Sequence, residues 1–323
     1  MRKIGILTSG GDAPGMNAAI RAAVRYANGI GLEVYGIQCG YDGMLKGDIC
    51  KMDNRSVSDI IQKGGTILMT ARCPEFIDPK YRKKANAVLQ AYGIEGFIVI
   101  GGDGSFRGMR DFYNDFGMPC VGIPGTIDND LAYTDFTLGF DTAVNTVLSA
   151  INNIRDTMTA HNRACIIEVM GRKCGDIAMY AGLAGGAEII LVPEMPADIE
   201  KIRKEIVYDK IKGKSSVIII LAEGVCSSSS LKEQILAGDV DDIQIRTVKL
   251  GYIQRGGTPS MFDRVLAARC AVRAVDLLTK PDCGGRVVGI KNNQIIDLDV
   301  DDALNTERKF DTELYKIATA LGK

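Results

Sequence analysis

Two stretches of this sequence set carboxylates and glycines at the ends of apolar runs. Phe97-Ile98-Val99-Ile100 opens into Gly101-Gly102-Asp103-Gly104-Ser105, and Cys120-Val121-Gly122-Ile123 opens into Pro124-Gly125-Thr126-Ile127-Asp128-Asn129-Asp130. Each reads as a buried strand ending in a loop. In a parallel sheet such ends share one edge, where ligands bind, so Asp103, Asp128 and Asp130 are expected at one crevice. Glycines let backbone N–H groups approach phosphates. One carboxylate can hold Mg²⁺, which keeps several waters, and another can accept the proton of an attacking hydroxyl. Tight turns capped by aspartate would explain either loop alone; the pair points to phosphoryl transfer.

The elements that must position these loops follow from periodicity. Ile4 to Leu7 reads as a strand, Thr8 to Gly15 as a glycine-bearing loop and Met16 to Tyr26 as a helix, a unit that favours anions at the helix start. Arg21 and Arg25 share one face of that helix. Further strands are expected at Glu33–Gln38, Cys165–Met170, Ile189–Pro193, Ser216–Leu221 and, as the last core strand, Arg286–Ile290. Helices are expected at Ser56–Gln62, Tyr81–Tyr92, Phe106–Phe116, Ala143–Thr157, Ile199–Lys210 and Thr306–Leu321. Serine-rich Cys226–Ser230 reads as mobile. The alternation of strands and helices predicts an α/β fold with mainly parallel sheets.

Composition excludes several classes. The 323 residues suffice for two domains. A net charge of −1 gives no global attraction to nucleic acid or acidic membrane. No apolar run is long enough to span a membrane, and the N-terminal run is too short for a secretion signal. Nine scattered cysteines and a single histidine, His161, argue against a zinc site and for reduced thiols in a cytoplasmic protein.

GGDGS together with PGTIDND resembles the ATP-dependent 6-phosphofructokinases of the bacterial type, and the resemblance extends along nearly the whole chain through SGGDAPGMNA, the GGT–AR segment, EVMGR and the late IQRGG segment. It implies two Rossmann-like three-layer domains, residues 1–138 with 252–304 for ATP and 139–251 with 305–323 for the sugar phosphate. It implies transfer of the γ-phosphoryl group of ATP to the C1 hydroxyl of fructose 6-phosphate with Mg²⁺. Asp128 would be the base and Asp103 the Mg²⁺ ligand, with Asp130 nearby. Gly11, Arg72, Cys73, Gly102, Gly104 and Ser105 would line the ATP site. Thr126, Ile127, Met170, Gly171 and Arg172 would surround the transferring group, with Arg172 neutralising it. Glu223 would orient the sugar. Arg163, Arg246 and Arg255 would grip its 6-phosphate, the first two from a neighbouring subunit of a homotetramer. Arg21, Arg25, Arg55, Asp59, Arg155, Gly186, Glu188, Lys212 and Lys214 would form an effector site for ADP or a phosphoenolpyruvate-type ligand, although Asp59 equally suits a helix cap.

Glycine at 104 and 125, where pyrophosphate-using relatives carry aspartate and lysine, implies ATP as donor. Two departures stand out. Tyr252 replaces the histidine of LGHIQRGG and cannot become cationic near neutral pH, which implies weaker fructose 6-phosphate binding or a shifted preference toward tagatose 6-phosphate or sedoheptulose 7-phosphate. Asn54 stands at an effector arginine, with Arg55 one place later. A nucleotide-sensing subunit without catalysis is the alternative of a different class; it has no need of a base at Asp128.

Overall fold

The computed structural model describes residues 1–238 and 244–322. In chain order the elements are β1 (Lys3–Ser9), α1 (Met16–Gly29), β2 (Glu33–Ile37), α2 (Gly40–Lys46), β3 (Ile49–Met52), α3 (Pro79–Tyr92), β4 (Gly96–Gly101), α4 (Asp103–Phe116) and β5 (Cys120–Pro124). They continue with α5 (Phe140–His161), β6 (Arg163–Val169), α6 (Asp176–Ala184), β7 (Ile189–Leu191), α7 (Ile199–Ile211), β8 (Ser216–Ala222), α8 (Ser228–Leu236) and β9 (Ile245–Lys249). The chain closes with α9 (Met261–Leu278), β10 (Gly285–Lys291), β11 (Gln294–Asp299), α10 (Val300–Leu304) and α11 (Thr312–Leu321). Two compact units result: Met1–Thr142 with Arg255–Arg308, and Ala143–Gln254 with Lys309–Lys323. Residues 239–243 and 323, inside the expected second unit, lie outside the described residues.

In the first unit the sheet order is β11-β10-β5-β4-β1-β2-β3, with antiparallel strands at both edges. The interior strands are continuous apolar runs, as strands covered on both faces must be; every residue of β4 and β5 is buried. α1 and α9 pack together on one face. α2, α3, α4 and α10 cover the other, around Phe97, Phe106 and Phe112. After β1 the chain builds outward to β2 and β3, then returns to β1's other side for β4 and β5. That reversal is the switch point at which open α/β sheets bind ligands.

The second unit carries the parallel sheet β7-β8-β6-β9. Alternate residues of β8 (Val217, Ile219, Leu221) pack on Ile202 and Ile206 of α7 and Leu231 and Ile235 of α8. α6 and α11 pack on one another, with the Tyr315 hydroxyl donating to the Ile190 carbonyl at 3.2 Å.

Several expectations need correction. Residues 56–62 form successive turns rather than a helix, because Asp59 adopts φ +53°, a left-handed conformation that ends helical winding. Ser227 caps α8 by accepting from Ser230 N at 3.2 Å, so serine richness marks a helix start, not a mobile segment. The terminal helix begins at Thr312, where Asp311 caps it, rather than at Thr306. After β10, the last core strand, one strand more than expected follows: Asn292 and Asn293, both at positive φ, turn the chain back into the partly exposed edge strand β11.

Two helix starts in the first unit are tied by one fully buried carboxylate. Asp263 of α9 accepts from Gly139 N at 2.8 Å, Thr142 N at 2.9 Å and Thr142 Oγ1 at 2.5 Å, satisfying N–H groups that the α5 helix leaves open. Burial pushes its carboxyl up to about 6 from the ordinary 3.8, against the pull of those donors. A raised folded-state value means that protonation favours folding: the contribution is full below about 3.8 and is lost as pH rises through about 6. The stability difference between the wild type and Asp263→Asn, measured by urea unfolding, should therefore move in the wild type's favour as pH falls from about 7 to about 5. A pH-independent difference would sink this reading.

Candidate functional site

Three loops leave the carboxyl ends of β1, β4 and β5 side by side. Ser9 is in register with Gly101, and Gly101 with Pro124. The first loop turns through Gly10 at φ +90° and Gly15 at φ +105°. A Cβ on Gly11 would lie 2.1 Å from Arg255 Nη1, which also points at the Asp12 carbonyl from 3.5 Å. Arg255, assigned by resemblance to the sugar phosphate, thus lies against the glycine loop of the first unit. Asn17 pins the neighbouring 63–67 segment: its Nδ2 donates to the Lys63 and Gly64 carbonyls at 3.2 and 3.1 Å, and its Oδ1 accepts from Ile67 N at 2.8 Å. Thr70 Oγ1 donates to the Gly10 carbonyl at 2.8 Å. This holds the chain leading to exposed Arg72 and half-buried Cys73, whose thiol burial pushes up and so keeps protonated.

The second loop is mostly helix. α4 begins at Asp103 rather than Phe106, so Asp103 and Gly104 form its first turn, the end at which backbone N–H groups and the helix dipole favour phosphate. A Cβ built on Gly104 meets nothing within 4 Å, so open space lies over this turn. Ser105 is buried, and its carbonyl accepts from the Tyr41 hydroxyl at 2.6 Å, with Tyr41 stacked on Phe76. Asp103 is held bidentately by Arg107, at 2.8 Å from Nε and 3.0 Å from Nη2. This exposed pair one turn apart contributes only about 0.3–0.5 kcal/mol. Among the described residues no three His, Cys, Asp or Glu side chains form a metal cage. Asp103 at the phosphate-favouring helix start nonetheless fits Mg²⁺, which takes one or two carboxylates and fills the rest of its shell with waters and substrate phosphate.

In the third loop Asp128 is only 2% exposed. Asn129 at φ +52° turns the chain, donating to the Asp135 carbonyl at 3.2 Å and accepting from Thr137 N at 3.0 Å. Thr137 Oγ1 closes the clamp on the Thr126 carbonyl at 2.6 Å, and Thr126 Oγ1 accepts from Asp128 N at 3.2 Å. Ile127 is buried. A Cβ on Gly125 would lie 2.9 Å from Ile100 Cγ2 and 3.1 Å from Met16 Cε. A larger residue at 125 would have to displace Ile100, so packing also favours glycine there, and Gly104, which fronts open space, is the clearer indication of the phosphoryl donor.

The second unit gathers another set at the carboxyl ends of β6 and β8. Met170, Gly171 at φ +137° and Arg172 at φ +56° form a tight bend closed by Cys174 N donating to the Gly171 carbonyl at 2.8 Å. A non-glycine residue in that region costs about 1–3 kcal/mol and recurs at functional sites. Glu223 accepts from Arg172 N at 2.9 Å, and a Cβ on Gly224 would lie 2.3 Å from the Arg172 carbonyl. Fully buried Gln254 accepts from Met170 N at 3.1 Å and donates to the Gly251 carbonyl at 3.0 Å, linking this bend to the segment bearing Tyr252. The Tyr252 side chain is 84% exposed. Arg163 and Arg246 are not brought to this bend: Arg163 opens β6 and Arg246 is the second residue of β9, in register with Cys165. Strand rise puts them more than about 15 Å away along the sheet.

The assigned effector residues divide between the units. In the second, Glu188 accepts from Arg155 at 3.3 Å and lies 3.2 Å from Lys214, while Arg155 also donates to the Gly185 and Gly186 carbonyls at 3.0 and 2.7 Å. Lys212 sits over the Tyr208 ring at 5.4 Å. Arg21 and Arg25 lie on α1 of the first unit, and Arg55 and Asp59 are exposed in its turns. Asn54 accepts from Asn28 of α1 at 3.4 Å. A cavity of about 680 Å³ between α7, β7 and α11 touches only Glu188 of the assigned residues.

Three glycine loops at one sheet edge, with a helix start and a buried carboxylate, define a phosphate-binding α/β protein. The phosphofructokinase family pattern matches residues 3–278. The chain is 57% identical over its full length and that of the "ATP-dependent 6-phosphofructokinase" of Clostridium botulinum (strain Loch Maree / Type A3). It is 54% identical, again over both full lengths, to "ATP-dependent 6-phosphofructokinase 1" of Clostridium perfringens (strain 13 / Type A). Phosphofructokinase from Saccharomyces cerevisiae matches in structure with a TM-score of 0.88 and 31% identity over 99% of this chain, which spans 47% of the yeast chain. The chain belongs to the phosphofructokinase family and has its two-domain α/β fold.

Asn17, Thr137 and Gln254 were not singled out by sequence reasoning. Asparagine inside a helix is unfavourable, and that is the one signal that marked Asn17 for a tertiary task. Asn17→Ala should cost about 2–3 kcal/mol, roughly 1 kcal/mol for each of three lost hydrogen bonds. It should also raise amide exchange across residues 63–70 selectively. Unchanged exchange there would contradict the clamp.

Proposed function

We propose that this chain transfers the γ-phosphoryl group of ATP to the C1 hydroxyl of fructose 6-phosphate, yielding fructose 1,6-bisphosphate and ADP. The observation that carries the reading is the parallel register of β4 and β5, from which the loops bearing Asp103 and buried Asp128 leave as neighbours. Full-length identity to two ATP-dependent 6-phosphofructokinases supports it.

The mechanism is positioning plus charge neutralisation, the main demands of phosphoryl transfer. Gly11, Gly102, Gly104 and Ser105 cradle the triphosphate and Arg72 neutralises it, with Cys73 at the nucleotide. Asp103 would hold Mg²⁺, which offsets charge on the phosphate oxygens when bound. Asp128 takes the proton of the C1 hydroxyl as that oxygen attacks. Thr126, Ile127, Met170, Gly171 and Arg172 bind the transferring group, and the fixed backbone of Arg172 presents its guanidinium as a planar fork. Glu223 receives the sugar hydroxyls and Arg255 its 6-phosphate. Arg163 and Arg246, remote from the Arg172 bend within one chain, serve a neighbouring copy in a homotetramer. Arg21, Arg25, Arg55, Asp59, Arg155, Gly186, Glu188, Lys212 and Lys214 take a phosphorylated effector, ADP or phosphoenolpyruvate-like. The reading includes a cytoplasmic location; among the described residues no helix is long and apolar enough to cross a membrane.

A coupled assay of the purified chain with Mg²⁺ and fructose 6-phosphate, comparing ATP with pyrophosphate, tests this directly. Turnover with ATP alone is expected, and turnover with pyrophosphate alone would overturn it. Gly104→Asp should raise KM for ATP about tenfold, the effect of one adverse charge contact near 1.4 kcal/mol, while leaving the melting temperature in place because open space surrounds that Cβ. Tyr252→His should lower KM for fructose 6-phosphate about threefold to tenfold, within the about 1.5–3 kcal/mol of a hydrogen bond to a charged group. An unchanged constant would show that the tyrosine does not weaken sugar binding.

A further inference from the structure

Arg107 has no part in the roles assigned above, yet it holds the carboxylate on which metal binding depends. Its guanidinium bonds both oxygens of Asp103, four residues back on α4. Half of its side chain is exposed, so no packing fixes it there. Gly104, on the same first turn, fronts open space. Arg110, the next arginine of this helix, differs: it is less exposed and is engaged by both Asp111 and Asp301. We propose that Arg107 is a donor-site positioning residue that changes partner, holding Asp103 in the metal-free protein and turning to the nucleotide phosphates when a divalent cation takes that carboxylate. A cation at Asp103 removes the anion that Arg107 pairs with and repels the guanidinium. The triphosphate arriving with it is the new anion within reach, and a guanidinium binds two phosphate oxygens at once. The inference rests on the donor site proposed above.

The test uses ADP as probe, by titration calorimetry on the full chain, in Mg²⁺ and in EDTA. In Mg²⁺, Arg107→Gln should weaken ADP about fivefold to tenfold, Arg107→Lys should recover part of that loss, and Arg110→Gln should bind as wild type. In turnover, Arg107→Gln should raise KM for ATP more than it lowers kcat, with KM for fructose 6-phosphate unmoved. In EDTA, Asp103→Asn should bind ADP more tightly than wild type, because Arg107 is released. That gain should shrink at least threefold in the Asp103→Asn/Arg107→Gln double variant. The proposal fails if Arg107→Gln binds Mg²⁺·ADP as wild type does, or if the Asp103→Asn gain persists undiminished in the double variant. Calorimetry needs no sugar substrate, so a chain inactive on fructose 6-phosphate but showing the Arg107 dependence would refute the function and spare the inference.

Discussion

The parallel register of β1, β4 and β5 is the constraint on which the remainder depends. Ser9, Gly101 and Pro124 end their strands at one level, so three loops from distant parts of the sequence leave as neighbours. Hydrogen-bonded register makes this alignment rigid: a one-residue slip would turn every buried side chain of the strand to the opposite face. Burial on both faces of the sheet therefore protects the geometry of the loop-bearing edge as well as stability.

Around that edge, small polar side chains fix loops that hydrophobic packing cannot reach. Asn17 holds the 63–67 segment and Asn129 and Thr137 hold the loop with Asp128; within the second unit, Gln254 holds the Arg172 bend in the same way. Each bonds main-chain groups that would otherwise be left without partners. The charged residues differ in kind. Asp128 is buried in a fixed loop, while Asp103 and Arg107 stand exposed on a helix start. Rigidity is thus concentrated on the loop with Asp128, and adaptability on the helix start with Asp103.

Much of this was legible in the sequence, because apolar runs ending in glycine and aspartate are governed locally. The alternation of strands and helices and the adjacency of the Asp103 and Asp128 loops came from such patterns. What was not legible depended on tertiary context. Asp59 takes a left-handed conformation that no periodicity reveals. Ser227 looked like part of a loose serine tract until its side chain met Ser230 N. Gly125 looked like a statement about the phosphoryl donor alone, yet a larger residue there would also have to displace Ile100. Arg163 and Arg246 were assigned to the sugar 6-phosphate, but they sit in the first residues of β6 and β9, whereas the Arg172 bend follows the end of β6. Residue type and spacing revealed the chemistry; which neighbours press on a position required the fold.

The first unit is made of two pieces of chain, Met1–Thr142 and Arg255–Arg308, with the second unit encoded between them. β10 lies beside β5, and α9 supplies both the cover over α1 and the carboxylate that satisfies the start of α5. A ribosome making this chain therefore delivers β1, β4 and β5 with their loops long before the strand and helix that seal them. During that interval β5 carries an open edge and α1 an uncovered apolar face, surfaces prone to the wrong partner. Interleaving the two units thus delays completion of the first until α9 and β10 have emerged, after the whole inserted stretch that carries Arg172.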